Sequence, residues 1–374
     1  MRSRIHLVAA SLALLVIAPH AFAQTPEQSS QAAAKSGETA QPVASVAASR
    51  GAVAAGVPKW ALKTGGSVYS TPLVANGAVY FGSYDYHVYA ADPATGRERW
   101  RFRTGGRVLG SPALEGGRVY FGSQDSRVYA LDAATGREVW KFKTPYAVNS
   151  APAVARGRVY FACTDGNVYA LDAATGAQVW ARLARTGTPT SPLVSGPLVL
   201  FGMGRGVQAL DAQTGEEKWF YKTARSVASA PTIADGVVYF GSLDRHLHAA
   251  DAATGAARWT FKTEGGLPHS PAVSAGAVYF GGIDATLYAA DAATGRERWR
   301  FAAEHGVTSS PAASNGRVYF GSTKGLYGLD AATGAPSFWF PTERIVTSAP
   351  AFSASTIYFG GWDGTLYAIT EARP

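Results

Sequence analysis

Short apolar segments alternate with turn-forming residues from residue 57 onward, and no window there is long enough for a helix. The pattern is plain between residues 108 and 143. Four pieces there predict strands: Val108–Leu114, Arg118–Gly122, Arg127–Leu131 and Glu138–Lys143. The turns between them are Glu115–Gly117, Gln124–Ser126 and Asp132–Gly136. The unit predicted by this pattern is a sheet of four short strands.

The four-strand unit recurs along the whole chain. A phrase with Asp, then Gly four residues later and Trp eight residues later, first appears at Asp92, Gly96 and Trp100, and the last copy is one residue longer. Its tryptophans recur at steps of 40 residues, with one step of 39. Prolines, which suit strand starts, mark the first strand of each repeat at Pro72, Pro112, Pro152, Pro192, Pro231, Pro271, Pro311 and Pro350. This period predicts an all-β, eight-bladed β-propeller of four-stranded antiparallel blades over residues 57–370.

The two ends of the repeat region complement each other. The eighth repeat ends without a Trp strand, whereas an extra strand of that type, Pro58–Lys63, precedes the first repeat. A ring closed by its N-terminal strand has no open edge. We therefore expect this strand to complete the last blade.

The repeated phrase has a structural interpretation. Asp and Thr of Asp-x-x-Thr-Gly can hydrogen-bond the turn backbone, and Gly supplies the positive φ. The Trp offers a large flat face for burial between blades. We expect eight tryptophans to dock in this way: Trp60, Trp100, Trp140, Trp180, Trp219, Trp259, Trp299 and Trp339.

The N-terminal residues are typical of an exported protein. Arg2 and Arg4 precede an apolar run, Leu7–Ala18, and then Ala21-Phe22-Ala23. This order predicts a signal peptide, residues 1–23, that is cleaved near Ala23. Residues 24–56 are rich in Ala, Ser, Gln and Thr, which predicts a disordered tether. We expect a soluble periplasmic or secreted monomer with no membrane anchor of its own.

Charge and cysteine content exclude several classes of site. The formal net charge of +8 is spread over the repeats, which favours an ordinary solvated surface and no nucleic-acid partner. Cys163 is the only cysteine, so the chain has neither an internal disulfide nor a cysteine-based zinc site. His246 and His248 would share one strand face, but no third ligand has a recognisable spacing, and we predict no metal site.

The repeat resembles the tryptophan-docking motif of the quinoprotein (pyrroloquinoline-quinone-type) β-propellers. The motif, Ala-x-Asp-x-x-Thr-Gly-x-x-x-Trp, is complete at Ala91–Trp100, Ala250–Trp259 and Ala290–Trp299. The resemblance implies the propeller fold. It leaves function open, because the family includes dehydrogenases and also non-catalytic propellers, such as the propeller subunit of the outer-membrane barrel-assembly machinery, which is similar in size and blade count.

For an enzyme, the resemblance implies pyrroloquinoline quinone held against two adjacent cysteines, with calcium bound by Glu, Asn and Asp. This chain has no adjacent cysteines. The loops that join successive repeats offer only Asn149, Glu264 and Glu304 as candidate ligands, in separate blades. A calcium site needs about six to eight oxygens. We therefore predict no catalytic residue and no cofactor, and keep the quinone with calcium, in a quinone-dependent dehydrogenase or binding protein, as the alternative.

The same loops could form a binding surface at one end of the propeller, the funnel mouth. Four arginines would reach this rim together with aromatic, polar and acidic residues, a mixture that suits an anionic or peptide partner. The competing interpretation is that these side chains are simply solvated. The candidates, with Tyr69 nearby, are Arg107, Tyr146, Asn149, Arg185, Arg225, Glu264, His269, Glu304, His305, Arg344 and Trp362.

Departures from the repeat give the remaining candidates. His269 occupies a position that is Ser, Gly or Thr in every other blade. Blade four has Gly202–Gly206 where other blades read Gly-Ser-x-Asp, and Trp362 takes the matching turn position in blade eight. An exposed Trp there would suit a protein interface. Together with the resemblance to the barrel-assembly propeller subunit, these features favour an exported, non-catalytic scaffold that binds periplasmic or outer-membrane proteins during envelope or outer-membrane assembly.

Overall fold

The computed structural model describes residues 53–371, which form 32 strands and no helix. Within this range no helix could cross a membrane. The predicted signal peptide, residues 1–23, and residues 24–52 of the predicted tether lie outside the described residues.

The strands are numbered in chain order, and the first, β1 (Ala54–Lys63), precedes the blades. Blades one to four contain β2 (Leu73–Ala75), β3 (Ala78–Gly82), β4 (His87–Ala91) and β5 (Glu98–Arg103); β6 (Ala113–Glu115), β7 (Arg118–Ser123), β8 (Arg127–Asp132) and β9 (Glu138–Lys143); β10 (Ala153–Ala155), β11 (Arg158–Ala162), β12 (Asn167–Asp172) and β13 (Gln178–Leu183); and β14 (Leu193–Ser195), β15 (Leu198–Met203), β16 (Gly206–Asp211) and β17 (Glu217–Lys222). Blades five to eight contain β18 (Thr232–Ala234), β19 (Val237–Ser242), β20 (His246–Asp251) and β21 (Ala257–Lys262); β22 (Ala272–Ser274), β23 (Ala277–Gly281), β24 (Thr286–Asp291) and β25 (Glu297–Ala302); β26 (Ala312–Ser314), β27 (Arg317–Gly321), β28 (Gly325–Asp330) and β29 (Pro336–Pro341); and β30 (Ala351–Ser353), β31 (Thr356–Gly360) and β32 (Thr365–Glu371).

The sheet order confirms the predicted eight-bladed propeller. Blades one to six are separate four-stranded sheets whose strands pair in chain order. Blades seven and eight share one eight-stranded sheet, β26-β27-β28-β29-β1-β32-β31-β30. The second and third strands of each blade are almost completely buried, and the apolar clusters combine residues of neighbouring blades. The core is therefore a ring of blade-to-blade interfaces.

The N-terminal strand closes the ring as predicted. β1 runs antiparallel to β32 from Gly56, opposite Glu371, to Lys63, opposite Thr365. It also begins earlier than residue 57, the predicted start of the propeller. Ala54 and Ala55 pair in parallel with the outer strand of blade seven. Residues 54–56, which the sequence assigned to the tether, are therefore part of the sheet, because their backbone finds a second strand edge beside β32.

The repeated phrase forms a docking turn, which we define as the Asp-x-x-Thr-Gly turn between the third and outer strands. In blade two, Asp132 Oδ1 accepts hydrogen bonds from the Thr135 amide at 2.8 Å and hydroxyl at 2.7 Å. Gly136 has φ 72°, and a Cβ there would lie 2.7 Å from the ring of Trp100. The indole of Trp100 donates to the Ala133 carbonyl at 3.0 Å. Trp100 therefore packs on the docking turn of the next blade.

The same indole contact recurs around the ring. The donors are Trp60, Trp140, Trp180, Trp219, Trp259 and Trp299, and the acceptors are the carbonyls of Pro93, Ala173, Ala212, Ala252, Ala292 and Ala331 respectively.

Trp339 is the exception and corrects the expected set of eight. In blade two Trp140 pairs with Ala130, but in blade seven the matching partner, Gly328, pairs with Phe338. The additional residue in this copy moves the tryptophan one position along the strand, and neighbouring positions of a strand face opposite sides. Phe338 is therefore completely buried in the tryptophan's place, whereas Trp339 is half-buried and packs 4.4 Å from the Tyr327 ring.

The interface between blades seven and eight, here called the seam, is built differently from the others. In blade one the hydroxyl of Tyr80 donates to a docking-turn carbonyl, that of Ala133. At the seam Tyr319 donates to the Glu371 carboxylate, which also pairs with Arg317. These three side chains border a cavity of about 510 Å³. At the seam, β1 and the side-chain carboxylate of Glu371 thus take the place that a docking turn has at the other interfaces.

Candidate functional site

One end of the propeller, the connecting-loop face, carries the loops from each outer strand to the next blade and the turns between second and third strands. The backbone fixes these two sets of loops together. In every blade a turn N–H donates to a connecting-loop carbonyl at 2.9–3.1 Å, as Tyr84 does to Ser67. The other donors are Gln124, Thr164, Gly204, Leu243, Ile283, Thr323 and Trp362. Eight equivalent side-chain positions therefore lie in a ring on a rigid backbone.

Several members of this ring are apolar and exposed. Ile283 is 65% exposed and Trp362 is 46% exposed. Tyr84 and Leu243 are half-buried at the same position. Trp362 was among the candidates from the sequence, but Tyr84, Leu243 and Ile283 were not. The available signal was the x of Gly-Ser-x-Asp, which is the equivalent position in most blades.

Two aromatic side chains of blade one lie close together, and a hydrogen bond links the loop of Tyr69 to that of Trp362 in blade eight. The rings of Tyr69 and Tyr84 are stacked with centroids 6.1 Å apart, and the Arg107 guanidinium lies 5.1 Å from the centre of the Tyr84 ring. The Ser67 hydroxyl donates to the Trp362 carbonyl at 3.1 Å, which ties the two blades together. We call Tyr69, Tyr84, Arg107 and Trp362 the aromatic patch. The contacts with Tyr84 hold Arg107 at this patch.

Arg185 differs from the expected free cation of the rim. Its Nε donates to Glu217 Oε2 at 2.7 Å, and a second nitrogen pairs with the other carboxylate oxygen. Gln208 also donates to Glu217, at 2.7 Å, and the Phe220 ring lies 5.0 Å beneath the guanidinium. The ion pair lowers the pKa of Glu217 and raises that of Arg185. The charge of Arg185 is therefore balanced by Glu217, on the outer strand of blade four.

The remaining rim candidates are distributed around the face. Seven predicted residues are exposed: Arg107, Tyr146, Asn149, Arg225, Glu264, Glu304 and Arg344. His305 is half-buried, and its ring lies 5.9 Å from that of Trp339. The structure thus pairs Tyr69 with Tyr84, joins the loop of Tyr69 to that of Trp362, and distributes the predicted arginines over the loops of different blades.

His269 lies at the start of the first strand of blade six. The residue at this position in blade one, Ser70, donates to the Gly82 carbonyl and accepts from its amide. The larger imidazole instead lies beside the backbone of Val307, in the next blade. Burial lowers the pKa of His269 to about 4, so the imidazole is neutral near pH 7.

We expect His269→Ser to reduce the acid sensitivity of the fold. An unfolded histidine titrates near 6.5, so between about pH 6.5 and 4 the unfolded chain binds more protons than the native one. Stability therefore falls as pH falls through this range, and His269→Ser removes about 3 kcal/mol of that loss. Urea unfolding of both proteins at neutral and acid pH measures the difference. An equal loss in the two proteins would contradict an unusual titration of His269.

The acidic turns and the histidines of blade five have structural roles. In blade two, Asp125 accepts from the Tyr129 hydroxyl at 2.6 Å and from the Gly105 amide at 2.8 Å. In blade five the buried His248 takes the tyrosine's place, 3.3 Å from Asp244 and stacked on Phe240. The His248–Asp244 contact of blade five therefore replaces the Tyr–Asp contact of blade two.

The candidate calcium ligands are spread over three connecting loops. Asn149, Glu264 and Glu304 are exposed on the connecting loops of three different blades. Among residues 53–371, no three His, Cys, Asp or Glu side chains are close enough to share a metal ion. Cys163 is buried, and its thiol contacts the Tyr146 carbonyl at 3.3 Å.

Comparison with solved structures shows the same fold in proteins of different activity. A structure of BamB from Moraxella catarrhalis has 18% identity and a TM-score of 0.75, over 84% of this chain and 99% of that one. The computationally designed Ika8 protein has 19% identity and a TM-score of 0.75, over 86% and 100%. A europium-containing methanol dehydrogenase has 16% identity and a TM-score of 0.74, over 84% and 93%.

Comparison by sequence is more selective. No curated protein matches the chain. The profile of the family described as "Outer membrane protein assembly factor BamB" matches residues 43–108, 87–206, 185–269 and 244–372. These matches span all eight blades and include the docking turns. The chain therefore belongs to this family of pyrroloquinoline-quinone-type β-propellers.

Proposed function

We propose that this protein is an exported, non-catalytic scaffold that binds periplasmic or outer-membrane proteins during assembly of outer-membrane proteins. Membership of a family described by an outer-membrane assembly factor supports this role. Residues 1–23, with the charge and apolar pattern of a signal peptide, support export.

The observation that carries the proposal is the aromatic patch on the connecting-loop face. Tyr69 and Trp362 are both exposed, on loops fixed by backbone hydrogen bonds. Rigid aromatic side chains lose little conformational entropy on binding and are enriched among residues that dominate interface energetics. Exposed Arg107, Arg225 and Arg344 add positive charge to the same face. This face thus suits a protein partner with apolar and acidic surface.

Photo-cross-linking in the intact cell envelope tests this assignment. A photoreactive amino acid replaces Trp362 in one variant and Ile283 in a second, and mass spectrometry identifies the cross-linked proteins. Both variants are expected to capture the same envelope protein. The control variant carries the probe at Ala134, an exposed residue of a docking turn at the other end of the propeller. Equal capture from Ala134, or none from the two test positions, would contradict the proposal.

A second experiment separates the scaffold from a quinone-binding protein. Purified protein is mixed with pyrroloquinoline quinone and calcium, and both the absorbance of the quinone and the melting temperature are followed. Because the exposed oxygens of Asn149, Glu264 and Glu304 lie on different blades, we expect no saturable binding and no rise in melting temperature. A saturable rise would replace the scaffold assignment with quinone binding.

A further inference from the structure

The outer strand of each blade presents a row of three side chains to the solvent. The docked residue of an outer strand is its tryptophan, or Phe338 in blade seven. The row contains the residue before it, the residue after it and the residue three positions after it, and all of these are exposed or half-buried. In blade one they are Arg99, Arg101 and Arg103. We call these three positions the outer row.

The outer row includes two or three charged side chains in six of the eight blades. An outer strand has one unpaired edge, and charges on such strands prevent association with other strands. Blades two, four, five, six and eight carry two charged residues each in the rows Val139, Lys141, Lys143; Lys218, Phe220, Lys222; Arg258, Thr260, Lys262; Arg298, Arg300, Ala302; and Lys59, Ala61, Lys63. The uncharged rows are Val179, Ala181, Leu183 in blade three and Ser337, Trp339, Pro341 in blade seven.

The edge of blade seven is covered by another strand. Ala54 and Ala55 of β1 pair in parallel with Phe338 and Trp339 of β29. In blade seven, an outer row without charge therefore occurs on a strand whose edge is covered by an added strand. The fold thus shows what an uncharged outer strand of this propeller is able to bind.

The edge of blade three has the same composition but no added strand among the described residues. β13 is the last strand of its sheet. Its Val179 is 43% exposed, and its Leu183 is 69% exposed, the most of any large apolar side chain among residues 53–371. The one charge on the strand, Arg182, donates to the Thr214 carbonyl of blade four at 3.0 Å. That contact directs it to the next blade and leaves the outer row apolar.

We propose that the edge of β13 binds an extended segment of a partner protein by strand addition. The segment contributes about six residues, the length of β13, and carries apolar side chains at alternate positions to cover Val179 and Leu183. Main-chain hydrogen bonds supply affinity without sequence specificity, and the two apolar side chains select the segment. The inference does not depend on the function proposed above.

The test uses the full chain and a labelled synthetic peptide with valine at every second central position and lysine at both ends. Fluorescence anisotropy measures its Kd, and hydrogen exchange locates it. The peptide is expected to slow exchange at residues 178–183, because their free amides become hydrogen-bonded. Val179→Lys combined with Leu183→Lys is expected to raise the Kd by at least about tenfold, since it removes burial of two apolar side chains and adds charge.

Matched controls separate strand addition from general adhesion. Val139→Lys makes the same change at the equivalent position of blade two and should leave the Kd unchanged. A peptide with proline in place of its central valine should not bind, because proline lacks the amide and clashes within a ladder. Absence of protection at residues 178–183, or a Kd unaffected by the double substitution, overturns the proposal. Protection there without peptide, together with a dimeric mass, overturns it in favour of a second copy of this chain.

Discussion

Deletion of residues 54–63 is expected to abolish ring closure and to lower the melting temperature by at least about 10 °C. The deletion removes β1, which supplies the outer strand of blade eight and pairs with β32 from Gly56 to Lys63. It also removes Trp60, whose indole donates to the Pro93 carbonyl at 3.1 Å and holds blade eight against blade one. Differential scanning calorimetry of the deletion variant and the parent protein measures the effect.

The control for this deletion is removal of residues 24–52, which precede β1. We expect that variant to melt within about 2 °C of the parent, because all strand pairs of the ring are retained. Equal melting temperatures for the two deletion variants would show that β1 does not close the ring. The boundary matters in this design, since a deletion that extended to residue 56 would remove the pairing of Ala54 and Ala55 with blade seven.

Trp299→Ala and Trp339→Ala are expected to differ strongly in their effect on stability. Trp299 is almost completely buried, and its indole donates to the Ala331 carbonyl at 3.0 Å. Its removal should cost about 3–5 kcal/mol in the free energy of unfolding. Trp339 is half-buried outside any docking turn, so its removal should cost about 1 kcal/mol. Trp299 and Trp339 lie on the outer strands of blades six and seven. Urea unfolding of the two variants measures both losses in the free energy of unfolding.

Phe338→Ala completes the comparison. Phe338 is fully buried where the other blades have their docked tryptophan, and a Cβ added at Gly56 would lie 2.8 Å from its ring. Its removal should therefore resemble Trp299→Ala in cost, about 3–5 kcal/mol. If Trp339→Ala proved the more damaging of the two blade-seven changes, the register assigned to β29 would be incorrect.

The repeat period was sufficient to predict the fold, because each blade has the same short-range pattern and only a ring satisfies all copies at once. The docking of Trp339 could not be obtained from the repeat alone. One additional residue before it reverses the side of the strand on which it lies, and the pairing of Gly328 with Phe338 shows which residue the register selects. A spacing of nine rather than eight was the available signal.

The functional face was less predictable than the fold. Arg185 looked like a free cation because its partner, Glu217, is 32 residues away and belongs to the next outer strand. A local pattern does not report such a pair. Ile283, by contrast, could be found from its repeat position, since Trp362 occupies the equivalent turn in blade eight. Comparing equivalent positions between blades was therefore more informative than searching the loops for charge.

The joint sheet of blades seven and eight has a consequence for the order of folding. β1 pairs with β32, so the first and last strands of the ring must meet. Loop-closure entropy grows only slowly with chain length, but contacts so distant in sequence form late. β1 is the first of the strands along the chain, and its partner β32 is the last. Until β1 pairs, the edges of β29 and β32 are exposed to other chains. Insertion of β1 between them covers both edges in one step.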